Sequence, residues 1–387
     1  MFRRRDYMKI CMLIDVWRPI WGGGQTHVWE LSKELIKNYS CEIDIFTRAL
    51  VDKDGKVFNK TESYFNKKLT IYRLSPASDF FNISIRFYWL IAVVIKVLSV
   101  YPNKKYNLLH AHAFSAGIPG KILSFILKIP LVFTVHGSHN LDLNNKNIVY
   151  FIENFLLTKI PYSQEITVSS KFLKYKNVNK NVKVIPNGVN ILDFNNSKSP
   201  TLKTNGKRFF KLLWVGRFDK FKGLEILTHA FYLALLNKSQ MVLTLVGDGP
   251  TKSNIRHLVS WLGIRLSVKF IKKQQFKKLR SYYNQTDIFV LPSLAEGQSI
   301  SLLEALAAEK PAVATNVGEN YRSVINGYNG YLIKPNDVNE LCTAIQQANM
   351  NSNLTAWGKR SQKIVEIDNS WKAVSSKTYK TYEKLIL

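Results

Sequence analysis

Short apolar runs recur along this 387-residue chain, each followed by a longer stretch in which apolar residues return every three or four positions. No other feature constrains the fold as much. A run of four to eight apolar residues suits a strand covered on both faces, and the helical stretch between two such runs is the crossover that parallel pairing needs. Strands are expected at 9–16, 42–47, 69–74, 108–113, 131–135, 165–168 and 182–185, and then at 211–215, 242–246, 267–271, 288–291, 312–315 and 330–333. Helical periodicity fits 26–38, 84–100, 115–127, 223–236, 275–284 and 299–308. Between the halves, 193–206 is polar, holds Pro200 and Gly206, and reads as linker. The expected architecture is α/β: two facing, doubly wound Rossmann-like domains, 1–190 and 208–361, joined through 191–207 and enclosing a deep interdomain cleft. The tail 362–387 places Val365, Trp371, Tyr379, Tyr382 and Leu385 at helical spacing, which predicts a helix packed on something large. Ligands of such folds bind beyond the carboxyl ends of strands, so the chemistry is expected in the loops that follow them.

Lys+Arg 55 against Asp+Glu 27 leave a net charge of +28. The excess is shared evenly, with 27 basic and 13 acidic residues up to Asn190 and 28 and 14 beyond it, which excludes a basic tail on a neutral enzyme. Such a balance suits an anionic partner (nucleic acid, a membrane surface or a phosphorylated substrate) or is a compositional bias whose charge is simply solvated. No recognised nucleic-acid motif is present, so no nucleic-acid partner is expected. With 46% hydrophobic and 21% charged residues the chain is not disordered. Cys11, Cys41 and Cys342 form an odd, widely spaced set without metal-ligand spacing, which fits a reducing cytoplasm. Residues 1–6 resemble the start of a signal peptide, but Asp15 and Arg18 break the apolar run that follows, and 9–16 reads instead as a buried strand. The longest uncharged apolar run, 87–95, falls short of a membrane span. The stretch 83–100 reads as a core helix of the first domain rather than an interfacial one, which would carry a more charged polar face. Basic clusters at 3–5, Lys67-Lys68, Lys104-Lys105 and Lys272 to Arg280 suit peripheral contact with the cytoplasmic face of an anionic membrane.

Four loops carry chemistry-bearing residues. Trp21-Gly22-Gly23-Gly24-Gln25-Thr26-His27 opens the first helix, where glycines admit a ligand and free N–H groups face an anion, or else form a flexible turn. Its spacing is not the dinucleotide fingerprint. After the first strand of the second half come Arg217 and Lys222, five apart on a strand-to-helix loop. A guanidinium fork and a point charge suit a diphosphate, although an ordinary basic surface loop has the same spacing. Val246-Gly247-Asp248-Gly249-Pro250 is a further strand-end turn, and Thr251 before Lys252 excludes a P-loop. The sharpest signal is Glu296-Gly297-Gln298-Ser299-Ile300, with Glu304 eight residues after Glu296. If the loop bends, Glu296 meets one end of a long ligand, Glu304 hydrogen-bonds hydroxyls at the other, and the N–H groups of Gln298 to Ile300 point at phosphate between them. Glycoside hydrolysis by the carboxylate pair is less attractive among so many phosphate-binding devices, and a loop acid beside a solvated helix acid is the plain alternative. His110, His112, His136 and His139 lack the carboxylates or thiolates that would complete a metal site. Asp52-Lys53-Asp54 lies in a polar loop with Gly55 and reads as a turn, so no metal is expected.

Taken in order, Gly22-Gly23 and His27, His110-Ala111-His112, Thr134-Val135-His136-Gly137, Ile185-Pro186-Asn187-Gly188-Val189, Val215-Gly216-Arg217 with Lys222-Gly223, the Val246 to Pro250 turn, Asp287 to Ser293, and Glu296 with Glu304-Ala305 form a known pattern. Over residues 9–346 the chain resembles the family 4 retaining glycosyltransferases of the GT-B fold. The resemblance implies that Arg217 and Lys222 hold the diphosphate of a nucleotide sugar. It implies that Glu304 binds the ribose, that Glu296 binds hydroxyls of the transferred sugar, and that Gly247, Gly297, Gln298, Ser299 and Ile300 belong to the donor site. Gly22, Gly23 and Gly24 would close over the phosphates, His136 would hydrogen-bond near the sugar, and the tail helix would pack back on the N-terminal, acceptor-binding domain. It also implies a metal-independent hexosyltransferase with no cofactor beyond a UDP- or GDP-sugar donor. The acceptor would be a saccharide or lipid-linked saccharide, in cell-surface polysaccharide or glycoconjugate synthesis. Gln298 and Ser299 stand where the family often has an aromatic and a glycine, and Glu309 and Gly318-Glu319-Asn320 also depart from it, which puts donor identity in doubt but removes no charged group. A GT-B nucleotide-sugar epimerase or hydrolase, or a non-catalytic sugar-nucleotide-binding protein, are the alternative readings.

Overall fold

A computed structural model describes residues 7–20, 22–51, 55, 57–79, 82–138, 146–175, 179–180, 182–194, 209–237 and 240–387, with backbone only at 276 and 277. The basic run 3–5, Trp21, Asp52-Lys53-Asp54, His139 and most of the stretch 191–207 lie outside the described residues. The chain divides into two compact units, 1–187 with 371–387, and 188–370.

The first unit runs β1 (Lys9–Ile14), α1 (Gly23–Tyr39), β2 (Glu42–Thr47), β3 (Thr61–Tyr64), β4 (Leu69–Arg73), α2 (Ile83–Lys104), β5 (Leu108–His112), α3 (Phe114–Leu127), β6 (Leu131–Val135), α4 (Ile148–Thr158), β7 (Gln164–Thr167) and β8 (Val182–Val184). Its sheet has the order β3-β4-β2-β1-β5-β6-β7-β8, parallel throughout except for β3 against β4. The central strands β1, β5 and β6 are almost wholly buried, as parallel strands between two helical layers should be. α1 packs on one side of the sheet through Val28, Leu31 and Leu35. The crossovers α2, α3 and α4 cover the other, through Trp89 and Val93, Leu123, and Leu156 and Leu157.

The second unit runs β9 (Phe210–Arg217), α5 (Leu224–Leu236), β10 (Met241–Asp248), α6 (Lys252–Trp261), β11 (Val268–Ile271), α7 (Phe276–Asn284), β12 (Ile288–Leu291), α8 (Ile300–Ala307), β13 (Ala312–Thr315), α9 (Asn320–Ser323), β14 (Gly330–Ile333), α10 (Val338–Met350) and α11 (Leu354–Asp368). Its six strands are all parallel, in the order β11-β10-β9-β12-β13-β14. The last helix, α12 (Trp371–Ile386), belongs to the first unit, where Trp371, Val374 and Tyr382 join the core under α1 and Tyr39 stacks on Tyr379 at 4.0 Å.

Several expectations need correction. The tail 362–387 is not one helix, because the chain breaks at Asn369-Ser370. There the Val189 N–H donates to the Asn369 carbonyl at 2.6 Å and Val189 bridges to Ser370, occupying groups that a continuous helix would use. The unit boundary also precedes the expected linker, since Val189 and Phe194 are buried in the second unit's core. The stretch 83–100 is not a core helix. α2 is 22 residues, long and apolar enough by length and composition to cross a membrane, yet only Trp89, Val93 and Val97 are buried, while Ile83, Phe87, Ile91 and Ile95 are exposed. β9 and β10 each run two residues further than expected. Gly216-Arg217 and Gly247-Asp248 therefore pair as strand, so Arg217 is the last residue of β9 and Gly247 lies within β10 rather than in a turn.

Candidate functional site

In the second unit the candidate site side chains are positioned by two close backbone approaches. Gly247, at φ 146°, lies against Gly216 so tightly that a Cβ there would fall 1.8 Å from the Gly216 carbonyl oxygen. Only glycine permits that approach, and it fixes Arg217 beside Asp248 at the carboxyl end of the sheet. The guanidinium is 47% exposed, with Nε 3.9 Å from Asp219 Oδ2. The chain then makes a 3-10 turn, Lys220–Lys222, capped by the Asp219 carboxylate, which accepts from the Phe221 N–H at 3.3 Å. Gly223, at φ 65°, follows, and a Cβ there would meet the Pro292 carbonyl oxygen at 2.0 Å. The Leu294 N–H donates to the Phe221 carbonyl at 2.8 Å, so the Lys222 turn is locked to the loop that carries Glu296.

That lock gives the site its central contact. Lys222 Nζ lies 2.5 Å from Glu296 Oε1, and Ser293 Oγ donates to the same oxygen at 2.8 Å. The side chains are 22% and 9% exposed, so the pair is held in one geometry instead of exchanging with water. After Glu296, the Gly297 carbonyl accepts from the Glu319 N–H at 3.0 Å, and Ser299 caps α8 by accepting from the Leu302 N–H at 3.3 Å. The first-turn N–H groups of Ile300 and Ser301, which an α-helix leaves without an intrahelical acceptor, make an anion-favouring helix N-terminus. One turn on, buried Glu304 accepts from Tyr283 Oη at 2.7 Å. Burial, and then the Glu304 charge, push the Tyr283 hydroxyl well up, so it stays protonated and donates. The sequence reading missed Tyr283 and Ser293. The apolar face of α7 marked the position of Tyr283 as inward, but no spacing rule shows which carboxylate its hydroxyl reaches.

In the first unit, Gly22 caps α1 and Gly23 and Gly24 form its first turn, with Gly24 close enough to His136 that a Cβ there would lie 3.8 Å from the ring. Four histidines gather behind this turn. His136 Nε2 is 3.1 Å from His112 Nδ1, the His27 ring is 4.8 Å from His136, and His27 Nδ1 is 2.8 Å from Asn187 Oδ1. His110 bonds the Tyr382 and Thr134 hydroxyls at 2.6 and 2.7 Å. These rings bond one another and neutral groups, and among the described residues no set of three side chains is placed to hold a metal ion.

The chain matches two family descriptions, one for each unit: Glycosyltransferase Family 4 over residues 21–191 and Glycosyl transferases group 1 over 210–351. It belongs to the family 4, group 1 glycosyltransferases. An uncharacterized glycosyltransferase of Methanocaldococcus jannaschii is 28% identical over 98% of this chain and 99% of its own length. The UDP-Gal:alpha-D-GlcNAc-diphosphoundecaprenol alpha-1,3-galactosyltransferase of Escherichia coli is 25% identical over 73% of this chain and 79% of its own. Among solved structures, the sucrose-phosphate synthase of Thermosynechococcus elongatus shares the fold, with TM-score 0.84 over 98% of this chain and 99% of that one at 21% identity. The architecture is that of the GT-B glycosyltransferases, and transfer is favoured over the epimerase, hydrolase and binding-only readings.

The histidine cluster gives this glycosyltransferase a pH dependence of defined sign. Burial pushes His27 down from 6.5 to about 4, partly opposed by its bond to Asn187, and holds His110, His112 and His136 well below the usual range. Between those two values the unfolded chain binds more protons at His27 than the fold does. Stability is therefore full above pH 6.5 and is lost as pH falls toward 4, by up to about 3 kcal/mol from this group. Melting temperature should fall across this window, and His27→Gln should flatten the slope. A profile unchanged between neutral pH and about pH 5 would contradict it.

Proposed function

We propose that the enzyme moves a sugar from a nucleoside-diphosphate sugar to an acceptor hydroxyl with retention of configuration and without a metal ion. Arg217 forks two diphosphate oxygens and Lys222 adds a point charge, which together offset the charge that builds on the β-phosphate as the sugar leaves. The helix N-terminus at Gln298, Ser299 and Ile300 faces phosphate, Glu304 accepts from the ribose hydroxyls, and Glu296 accepts from hydroxyls of the sugar. In the reaction the bond from the anomeric carbon to the β-phosphate oxygen breaks and its electron pair stays with the phosphate. The acceptor oxygen bonds the carbon on the same face, and its proton passes to the departing phosphate. The first unit receives the acceptor, with His136 donating or accepting a hydrogen bond there.

The observation that carries this reading is the Lys222–Glu296 contact, with Ser293 on the same oxygen, next to a capped helix whose next turn holds Glu304. A cation for phosphate and a carboxylate for sugar hydroxyls thus lie within one hydrogen bond of each other. A UDP- or GDP-sugar fits as donor, and the E. coli relative, named for UDP-Gal and a diphosphoundecaprenol-linked sugar, supports a lipid-linked saccharide as acceptor. Three buried free thiols suit a cytoplasmic enzyme. Retention is tested by proton NMR of the first sugar released when water replaces the acceptor. The expected sugar has the donor's anomeric configuration and an EDTA-insensitive rate; the opposite anomer, or loss of turnover in EDTA, would contradict the proposal.

A further inference from the structure

The three crossover helices on one side of the first unit's sheet are apolar on the side that faces away from the sheet. α2 presents Ile83, Phe87, Ile91 and Ile95, a stripe at four-residue spacing. α3, packed beside it, presents Ile122 and Phe125, the latter 82% exposed. α4, packed beside α3, presents Phe151, Ile152 and Phe155. Singly exposed apolar residues are ordinary, but stripes on three neighbouring helices form one patch of the kind that marks an interaction surface. The opposite side of the same sheet shows what a solvated layer looks like in this chain: α1 and α12 turn Lys37, Asn38, Lys372, Lys377 and Lys380 outward.

Charge decides the occupant. Within 82–105, 114–128 and 146–160 the basic residues are Arg86, Lys96, Lys104, Lys105, Lys121, Lys128, Lys146 and Lys159, and Glu153 is the one acid. Arg86 and Lys104 face Asp15 and Asp44, and Glu153 accepts from Ser138. Lys105, Lys128 and Lys159 are the C-caps of α2, α3 and α4, all exposed. Because the three helices make successive parallel crossovers in one sheet, those C-caps lie along one edge of the patch. We infer that this face docks on an anionic lipid bilayer, with the isoleucine and phenylalanine stripes entering the boundary between headgroups and acyl chains and the lysine edge meeting lipid phosphate. A second copy of the chain is the poorer fit, since these helices carry a single acid, Glu153, to meet the partner's lysines, and it already accepts from Ser138.

The test uses the full chain and needs no donor or acceptor, so it stands apart from the proposed reaction. Cosedimentation at low salt with phosphatidylcholine vesicles holding about 30% phosphatidylglycerol should pellet the protein, and pure phosphatidylcholine should pellet less of it. The triple variant F87S/I91S/F125S should lose at least about tenfold in partitioning with an unchanged melting temperature, because each residue is exposed. The native thiols are buried, so an environment-sensitive fluorophore on Phe125→Cys can be attached selectively. Its emission should shift to the blue with vesicles, whereas the same label on Ile367→Cys, exposed on the second unit, should not move. A protein that stays in the supernatant with an unshifted label overturns the inference. So does a concentration-dependent dimer that the triple variant abolishes, which would make this face a contact between copies.

Discussion

Arg217→Ala is expected to lower kcat for sugar transfer by about 10²–10³-fold, the usual loss when one preorganised group facing the developing charge is removed. The leaving diphosphate gains negative charge as the bond to the anomeric carbon lengthens, so the cation that offsets this gain contributes more in the transition state than in the bound ground state. The melting temperature of Arg217→Ala is expected to stay close to that of the native chain. Arg217 ends β9 with its side chain 47% exposed, and its backbone pairing with Asp248 does not depend on the guanidinium. Steady-state release of nucleoside diphosphate, measured beside a melting curve, separates the two effects. Arg217→Lys should recover only part of the rate, since an ammonium keeps the charge but not the planar fork. Near-normal turnover in Arg217→Ala would refute its assignment to the diphosphate.

Glu304→Gln is expected to weaken donor binding by about 10- to 100-fold, the range for losing charge-assisted hydrogen bonds at a buried carboxylate. Glutamine has nearly the same shape, and its amide oxygen can still accept from Tyr283, so the helix and the Tyr283 contact should survive. What is lost is the second carboxylate oxygen and the negative charge, the groups that would accept from the ribose hydroxyls under the proposed function. The loss should appear mainly in donor affinity, because the ribose lies away from the reacting bond. An unchanged donor affinity would remove Glu304 from the nucleotide site.

The strands that build both sheets were legible because buried parallel strands are written as mainly apolar runs: β12 is unbroken, β1 is so after Lys9, β6 and β13 are interrupted by one threonine each, and β5 keeps Leu108, Leu109 and Ala111 around its two histidines. β3 was not, because Thr61-Glu62-Ser63-Tyr64 is a polar edge strand that borrows its order from β4. α2 misled for a related reason. A helix apolar all round has no face to read, and only the packing shows that Trp89, Val93 and Val97 point in while Phe87 and Ile91 point out. At the site, sequence order brought Arg217, Lys222, Glu296 and Glu304 to notice, and the Ser299 cap could be read from its place before α8. The contacts among them could not. Lys222 and Glu296 are 74 residues apart, and they meet because Gly223 lets one loop press on Pro292 of another. Ser293 and Tyr283 were invisible as functional residues because what matters is where a hydroxyl points, and that is set by the packing of α7 and the β12–α8 loop.

Donor binding at the second unit is tested by titrating the intact enzyme with UDP- and GDP-sugars, followed by thermal unfolding, with Glu304→Gln in parallel. Ligand that binds the fold raises its melting temperature by mass action, and at about 100 times Kd the gain is roughly 2.7 kcal/mol. A saturable rise is expected with one class of nucleotide sugar, with the midpoint displaced to at least about tenfold higher donor concentration in Glu304→Gln. Stabilisation of both proteins with the same midpoint, or of neither by any nucleotide sugar at millimolar concentration, would contradict the proposed site.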